Sequence, residues 1–128
     1  LYGALATLRM GVDLLREQEG VALERLLGHG GFFKTPRAGL QILADVFGVP
    51  AAQLETAGEG GPWGMALLAA YRAAHARGET LEQYLTRAFQ TAPCETLNPT
   101  PEGMAGFAQY YARYQKALKA QRAAGEMR

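Results

Sequence analysis

The sequence is poor in three features that would identify broad classes of protein: cysteine, unbalanced charge and long apolar runs. Its one cysteine, Cys94, cannot form an internal disulfide, so we expect a reducing cytoplasmic location and exclude a structural zinc site. The 13 basic and 12 acidic residues give a formal net charge of +1, which provides no electrostatic footprint for nucleic acid. No apolar run approaches the roughly 20 residues of a membrane span, and no signal-peptide pattern is present. We therefore expect neither nucleic acid nor a membrane as a partner.

What the sequence does contain is the composition of one globular domain. Of its 128 residues, 48% are hydrophobic and 20% are charged. A chain of this size can bury roughly two-thirds of its unfolded surface, so it can form a core. It starts at Leu1 inside an amphipathic pattern and without a methionine. This start indicates a piece of a longer protein.

Residues 1–77 predict an alternation of helix, strand, helix, strand and helix. The first helix is indicated by apolar residues at steps of four and three: Leu1, Leu5, Leu8, Val12 and Leu15. Its charged residues are expected on a solvated face: Arg9, Asp13, Arg16 and Glu17. The apolar runs VALERLL (21–27) and VPAAQLET (49–56) predict two strands. Because strands that alternate with helices imply right-handed crossovers, we expect these two strands to pair in parallel.

Capping signals bound the helices that follow the two strands. Thr35 is the predicted N-cap of the second helix, with Pro36 at its first position, and Gly48 ends it. Its predicted inner face is Leu40, Leu43, Ala44 and Phe47. Pro62 is predicted to open the third helix, with a buried stripe of Trp63, Leu67, Ala70 and Tyr71.

Residues 78–128 differ in character and predict a helical C-terminal extension packed on the same domain. Thr80 and Gln83 form a capping-box pattern before LEQYLTRAF. A loop with three prolines is predicted next, followed by a helix from about Pro101. The apolar stripe of that helix is Met104, Phe107, Tyr111, Tyr114 and Leu118.

Two glycine-rich turns each follow a predicted strand: the first glycine turn (residues 28–31) and the second glycine turn (residues 58–61). In open α/β sheets this is the edge where ligands bind. Gly28 to Thr35 nearly matches the phosphate-binding pattern G-x-x-x-x-G-K-[ST], but Phe33 stands where the loop needs glycine. The pattern G-x-G-x-x-G fails at the same residue. The turns are therefore either a ligand site of another design or plain connectors, and their composition leaves both open.

Few single residues carry a chemical signal. Glu55 and Glu59 flank the second glycine turn. They either line a cleft, acting through Mg²⁺-bound water, or are there because a negative charge is favourable at the N-terminus of the next helix. Asp45 near a helix end is expected to be solvated or capping and not a general base. His75 has no second histidine or cysteine at ligand spacing, so no metal site is predicted.

The segment GHGGFFKTPRAGLQILADVFGVPAAQLETAGEGGPWGMALLAAY resembles the C-terminal half of the FGGY carbohydrate kinases. It has a glycine pair, a helix that ends in ADVFG before a proline, a strand that closes on a glutamate, and a glycine-led GMALLAAY helix. The resemblance covers residues 1–77. In the C-terminal extension (residues 78–128, the tail) it is limited to the aromatic FAQYYARYQKAL helix. It is strongest to the pentulose kinases of the ribulokinase and xylulokinase types.

The resemblance implies a fragment of an actin-like, ribonuclease-H-like ATPase domain, with a short parallel sheet, flanking helices and a helical tail. In such kinases ATP and Mg²⁺ bind between two domains. Gly31 would lie against the adenine or ribose, Thr35 would bond the base, and Gly30 precedes them in the same turn. The turn would thus hold the nucleoside end of ATP and not its phosphates. Phe32 and Phe33 would either flank the base or pack in the core.

The resemblance also implies what the chain lacks. The catalytic aspartate, the first phosphate loop and most of the sugar pocket of these kinases lie upstream of the matching region. We therefore expect no catalytic residue here, an inert fragment of an active sugar kinase, and an open strand edge that favours homo-oligomers. Two other classes remain open: an actin-like or chaperone-like ATPase, and a non-enzymatic α/β interaction module.

Overall fold

The computed structural model describes residues 1–35, 37–75, 77–90 and 92–126. They form an α/β structure with flanking helices and a C-terminal helix, as predicted. Its helices are α1 (Tyr2–Glu19), α2 (Ala38–Phe47), α3 (Gly60–Ala74), α4 (Leu81–Phe89) and α5 (Pro101–Glu126). Its strands are β1 (Leu26–Leu27), β2 (Ala51–Leu54) and β3 (Cys94–Leu97), and 3₁₀ turns span Gly31–Phe33 and Glu55–Glu59. None of the described helices is both long and apolar enough to cross a membrane.

The sheet is mixed, in the order β1-β2-β3. β1 and β2 pair in parallel, with Leu26 opposite Ala51, which confirms the predicted parallel pair. β3 was not predicted: it pairs antiparallel to β2, with Leu97 opposite Ala51, in the segment expected to be a proline loop. The prolines do not prevent this strand because Pro93 and Pro99 flank it and none lies within it. The sheet is therefore not purely parallel.

Glycines and one capping box bound the helices largely as the sequence indicates. Gly48 ends α2 with a left-handed φ of 67°. The capping box is confirmed, since the Gln83 N–H donates to Thr80 Oγ1 and the Thr80 N–H donates to Gln83 Oε1. The prediction that Thr35 caps α2 is wrong: α2 begins at Ala38, its N-cap is Arg37 with a φ of 61°, and no side chain caps it. The first 3₁₀ turn lengthens the connection and displaces the helix start, while Pro36 lies outside the described residues.

The core lies between α1, α2, α5 and one face of the sheet. The predicted inner face of α2 is buried as a whole: Leu40, Leu43, Ala44 and Phe47. Phe107 of α5 is also buried and makes an edge-to-face contact with Tyr2 at 5.3 Å between ring centroids. The predicted buried stripe of α3 is wrong, because no described residue of α3 is buried and Trp63 is 40% exposed. α3 packs mainly against the second 3₁₀ turn, which leaves its apolar side uncovered.

Asp45 joins the tail to α2 by a buried carboxylate. The residue is only 8% exposed, so it caps as expected but is not solvated. Asp45 Oδ1 accepts hydrogen bonds from the Thr100 N–H at 2.7 Å, from Thr100 Oγ1 at 3.1 Å and from Gln41 Nε2 at 3.0 Å. Thr100 Oγ1 in turn accepts from the Gly103 N–H in the first turn of α5. The carboxylate therefore holds the start of α5, where the helix dipole favours a negative charge.

The charged face of α1 was predicted to be solvated, which holds for the exposed Glu17 but not for Arg9, Asp13 and Arg16, which are half-buried. Arg9 donates to the Val46 carbonyl and to Asp13 Oδ1, and Arg16 donates to the Phe47 carbonyl. These cations meet the last carbonyls of α2, at the negative end of its dipole. Tyr111 of α5 donates to Asp13 Oδ2, and burial, followed by the Asp13 charge, raises the pKa of its hydroxyl. The polar face of α1 thus contacts α2 and α5.

Candidate functional site

The two glycine turns lie together at one edge of the sheet. The parallel pairing continues beyond β1 through a hydrogen bond from the Gly28 N–H to the Ala52 carbonyl at 2.8 Å. The Gly30 N–H donates to the Ala57 carbonyl at 2.7 Å, which joins the first turn to the segment before the second. The structure thus brings both turns to the carboxyl ends of the parallel strands, the edge at which α/β sheets bind ligands.

The predicted site residues Gly30, Gly31 and Thr35 lie at the surface of this edge. Gly30 has a φ of 101°, a conformation that residues with a Cβ rarely adopt. Gly31 is exposed, and a Cβ added to it would meet no atom within 4 Å. Thr35 is exposed, and its side chain has no hydrogen-bond partner in the part of the chain that the structure describes. The backbone at Gly31 can therefore be approached closely from solvent.

The two phenylalanines after the glycine pair belong mainly to the core. Phe32 and Phe33 are half-buried, make an edge-to-face contact at 5.3 Å between ring centroids, and pack against the core cluster. This arrangement agrees with the core-packing interpretation of both residues. Phe33 also contributes to the wall of a surface groove, where one side of the residue remains accessible.

This edge groove has a volume of about 600 Å³, enough for a nucleoside. It is bounded by Phe33 and Lys34, which follow the first glycine turn, by the second glycine turn, and by the ends of β2 and β3. Gly30, Gly31 and Thr35 do not line it. Its lining residues are Phe33, Lys34, Gln53, Glu55, Gly58, Glu59, Pro93 and Glu95. Glu55 and Glu59 thus lie on a groove wall, and Glu59 is also the N-cap residue of α3.

The edge groove is rich in hydrogen-bond acceptors. Lys34 Nζ, at the end of the first 3₁₀ turn, pairs with Glu59 Oε1 in the second glycine turn at 2.6 Å. Arg37 pairs with Glu95 Oε1 at 2.7 Å, from the start of α2 to β3. Gln53 Oε1 is buried and has no hydrogen-bond partner among the described residues. With three carboxylates and one lining cation, the groove disfavours phosphate and favours hydroxyl or amino donors.

The fit of Mg²⁺ to the chain itself is poor. In the described ranges no three His, Cys, Asp or Glu side chains are grouped so that they could hold a metal ion. Two of the groove carboxylates already pair with cations. A metal that arrives with a nucleotide would therefore be held by the phosphates and not by these side chains.

The sequence interpretation missed the contributions of β2 and β3 to the edge groove. Pro93 and Glu95 were not singled out because their segment was interpreted as a loop, whereas Gln53 was placed in a predicted strand but not assigned to the ligand edge. The segment CETL (94–97) offers no apolar–polar alternation in its residue types, and its alternation of exposed and half-buried residues is visible only in the structure.

A second, apolar cavity of about 440 Å³ lies between α1 and β1. Leu5, Leu8 and Val12 of α1 line one side, and Leu26 and Leu27 line the other. Among the described strands β1 pairs only with β2, so its other edge is open, and Leu27 there is 56% exposed. This α1–β1 groove is thus continuous with an unpaired strand edge.

Comparisons with known proteins identify the α/β part of the chain. A search of curated proteins and a search of solved structures each gave no significant match. The model of the FGGY family of carbohydrate kinases, C-terminal domain, matches residues 1–73, which include α1, both parallel strands, both glycine turns and nearly all of α3. The match covers 73 of 128 residues, and the tail lies beyond it. The chain therefore belongs to the FGGY family of carbohydrate kinases, through the C-terminal domain of that family.

Proposed function

We propose that this chain is the nucleotide-binding C-terminal part of a kinase that transfers the ATP γ-phosphate to a pentulose such as ribulose or xylulose. The observation that carries the proposal is the meeting of both glycine turns at the carboxyl edge of the parallel strands, with Gly31 open to solvent. It occurs within the residues that match the carbohydrate kinase domain. The pentulose subtype is supported by the resemblance of residues 1–77 to ribulokinases and xylulokinases.

In this proposal Gly30, Gly31 and Thr35 hold the nucleoside end of ATP. Gly31 allows a flat base or ribose to contact the backbone, and the Thr35 hydroxyl is free to bond it. The carboxylates of the edge groove favour the nucleoside, because they would repel a triphosphate. Mg²⁺ carried by the phosphates would supply charge neutralisation for phosphoryl transfer, and no described side chain is assigned to hold it.

The isolated chain is proposed to be inactive. Phosphoryl transfer needs groups from both sides of a cleft, and in the resembled kinases the general base and the first phosphate loop precede the matched region. We assign residues 1–77 to the nucleotide-binding part and residues 78–128 to an extension on it. The exposed, unpaired Cys94 favours a reducing cytoplasm.

We further propose that the chain forms homo-oligomers through the open edge of β1. An unpaired strand edge beside an apolar cavity favours pairing with another strand. Two copies can pair through the same edge about a twofold axis, which closes the assembly at a dimer.

The proposal is tested by titrating the chain with ADP in a calorimeter. We expect weak binding that falls at least tenfold in Gly31→Val, because its side chain would fill the space that the nucleoside needs. Gly125→Val is the matched control, since a Cβ there also meets no atom within 4 Å but lies at the far end of α5. Absence of ADP binding by the unmodified chain, or equal loss in both variants, would contradict the nucleotide site and favour an interaction module.

A further inference from the structure

The edge groove is completed by residues outside the part of the chain that matches the kinase family. The match ends at residue 73, whereas Pro93 and Glu95 come from the tail. The Glu55 N–H donates to the Pro93 carbonyl at 3.2 Å, and β3 pairs with β2 along four residues. The tail strand is therefore a fixed wall of the groove.

Glu95 is held in this wall by contacts on two sides. Its backbone lies opposite Gln53 in the β2–β3 ladder, so both side chains project from the same face of the sheet. Its carboxylate pairs with Arg37 at 2.7 Å while its side chain remains 36% exposed. A carboxylate oriented by an arginine and still accessible can accept further hydrogen bonds.

Gln53 adds an acceptor that lacks a donor. Leaving a buried amide oxygen unpaired carries a desolvation penalty, which a ligand donor can remove. The last torsion of a glutamine side chain is soft, so rotation of the amide can present this oxygen to the groove. Neighbouring acceptors of this kind match adjacent hydroxyl groups, and an acidic side chain on ribose hydroxyls is a recurring feature of nucleotide sites.

We propose that Glu95, with Gln53 beside it, accepts hydrogen bonds from the ribose hydroxyl groups of the nucleotide held at the first glycine turn. The assignment rests on the proposed nucleotide site and extends it to the tail. It makes Glu95 a ligand-binding residue contributed from outside the family domain.

The test combines removal of the residue with removal of the hydroxyls. ADP and 2′,3′-dideoxy-ADP are titrated into the unmodified chain, Glu95→Ala and the exposed control Glu24→Ala. We expect the unmodified chain and Glu24→Ala to bind the dideoxy ligand about tenfold more weakly, and Glu95→Ala to bind both ligands within about twofold. Both ligands carry the same phosphates, so the ratio of their dissociation constants is insensitive to the Arg37 charge that Glu95→Ala leaves unpaired. Glu95→Gln, which keeps an acceptor and the side-chain shape, should retain part of the discrimination, and thermal melting checks that each variant folds.

The outcomes separate this inference from the function on which it rests. Suppose that ADP binding is lost in Gly31→Val, but Glu95→Ala discriminates between ADP and the dideoxy ligand as the unmodified chain does. The role of Glu95 is then refuted and the nucleotide site stands. If the unmodified chain does not bind ADP, both fail. Free ribulose and xylulose are titrated as a third arm. If Glu95→Ala abolishes sugar binding but leaves the ratio of the ADP and dideoxy-ADP dissociation constants unchanged, the hydroxyl acceptors belong to a sugar site and the ribose assignment is overturned.

Discussion

Replacing Asp45 by alanine should release the tail from α2. Asp45 is 8% exposed and one of its carboxylate oxygens accepts three hydrogen bonds, two of them from Thr100. A hydrogen bond to a charged group contributes about 1.5 kcal/mol or more, and the Gln41 donor can be rehydrated after the substitution. We therefore expect a loss of about 3 kcal/mol in the free energy of unfolding, a large part of the 5–15 kcal/mol typical of a domain.

The measurement is urea unfolding followed by circular dichroism. Asp45→Asn keeps the oxygen that receives the Thr100 N–H and should lose only about 1 kcal/mol. Glu24→Ala, which removes an exposed carboxylate, should change the free energy of unfolding by less than about 0.5 kcal/mol. Thr100→Ala combined with Asp45→Ala should cost much less than the sum of the two single changes, because they remove the same bonds. An Asp45→Ala chain as stable as the Glu24→Ala control would refute the capping role.

Three further outcomes follow from other contacts. Gly103→Ala should lower the free energy of unfolding by about 1–3 kcal/mol, because the new Cβ overlaps the Asp45 carboxylate. Gly11→Ala, in open space on α1, should raise it by about 0.5–1 kcal/mol. Thermal melting measures both changes. The pKa of Tyr111 is higher in the folded chain than its ordinary value of 10.0, so the unfolded chain loses this proton first. Stability should therefore fall as the pH rises above about 10. Tyr111→Phe should flatten that fall in unfolding experiments across pH. Leu27→Lys should convert an oligomer to a monomer in light scattering, since a lysine at an open edge opposes strand pairing. Met65→Lys, at an even more exposed apolar position on α3, should not.

The sequence predicted the parts of the fold that local patterns determine. Gly48 ended α2 and Thr80 with Gln83 began α4, because each signal acts within one turn of helix. The parallel pairing of β1 and β2 followed from the order of elements, which constrains crossovers. These features depend on chain-local chemistry or topology, so no tertiary information was needed.

What the sequence could not predict depends on contacts between distant segments. Asp45 lies 55 residues from Thr100, so nothing near it in the chain indicates that its carboxylate would be buried against α5. The edge groove was predicted only on the side of Glu55, Glu59 and the second glycine turn, because Glu95 reaches it through a strand that forms only by pairing with β2. The stripe of α3 was expected to be buried from periodicity alone, and periodicity does not show whether a covering element is present.

The position of α2 connects these separate observations. Arg37 at its start pairs with Glu95 in the edge groove, and Asp45 near its end holds Thr100 at the start of α5. β3 lies between these two attachments, with Leu97 three residues before Thr100. Loss of the Asp45 contact therefore loosens the segment that follows the strand presenting Glu95, while pairing with β2 along all four residues still holds the strand. If the groove binds a nucleotide as proposed, the tail affects that binding through the placement of β3, and the kinase domain gains part of its ligand site from an extension that its family pattern does not include.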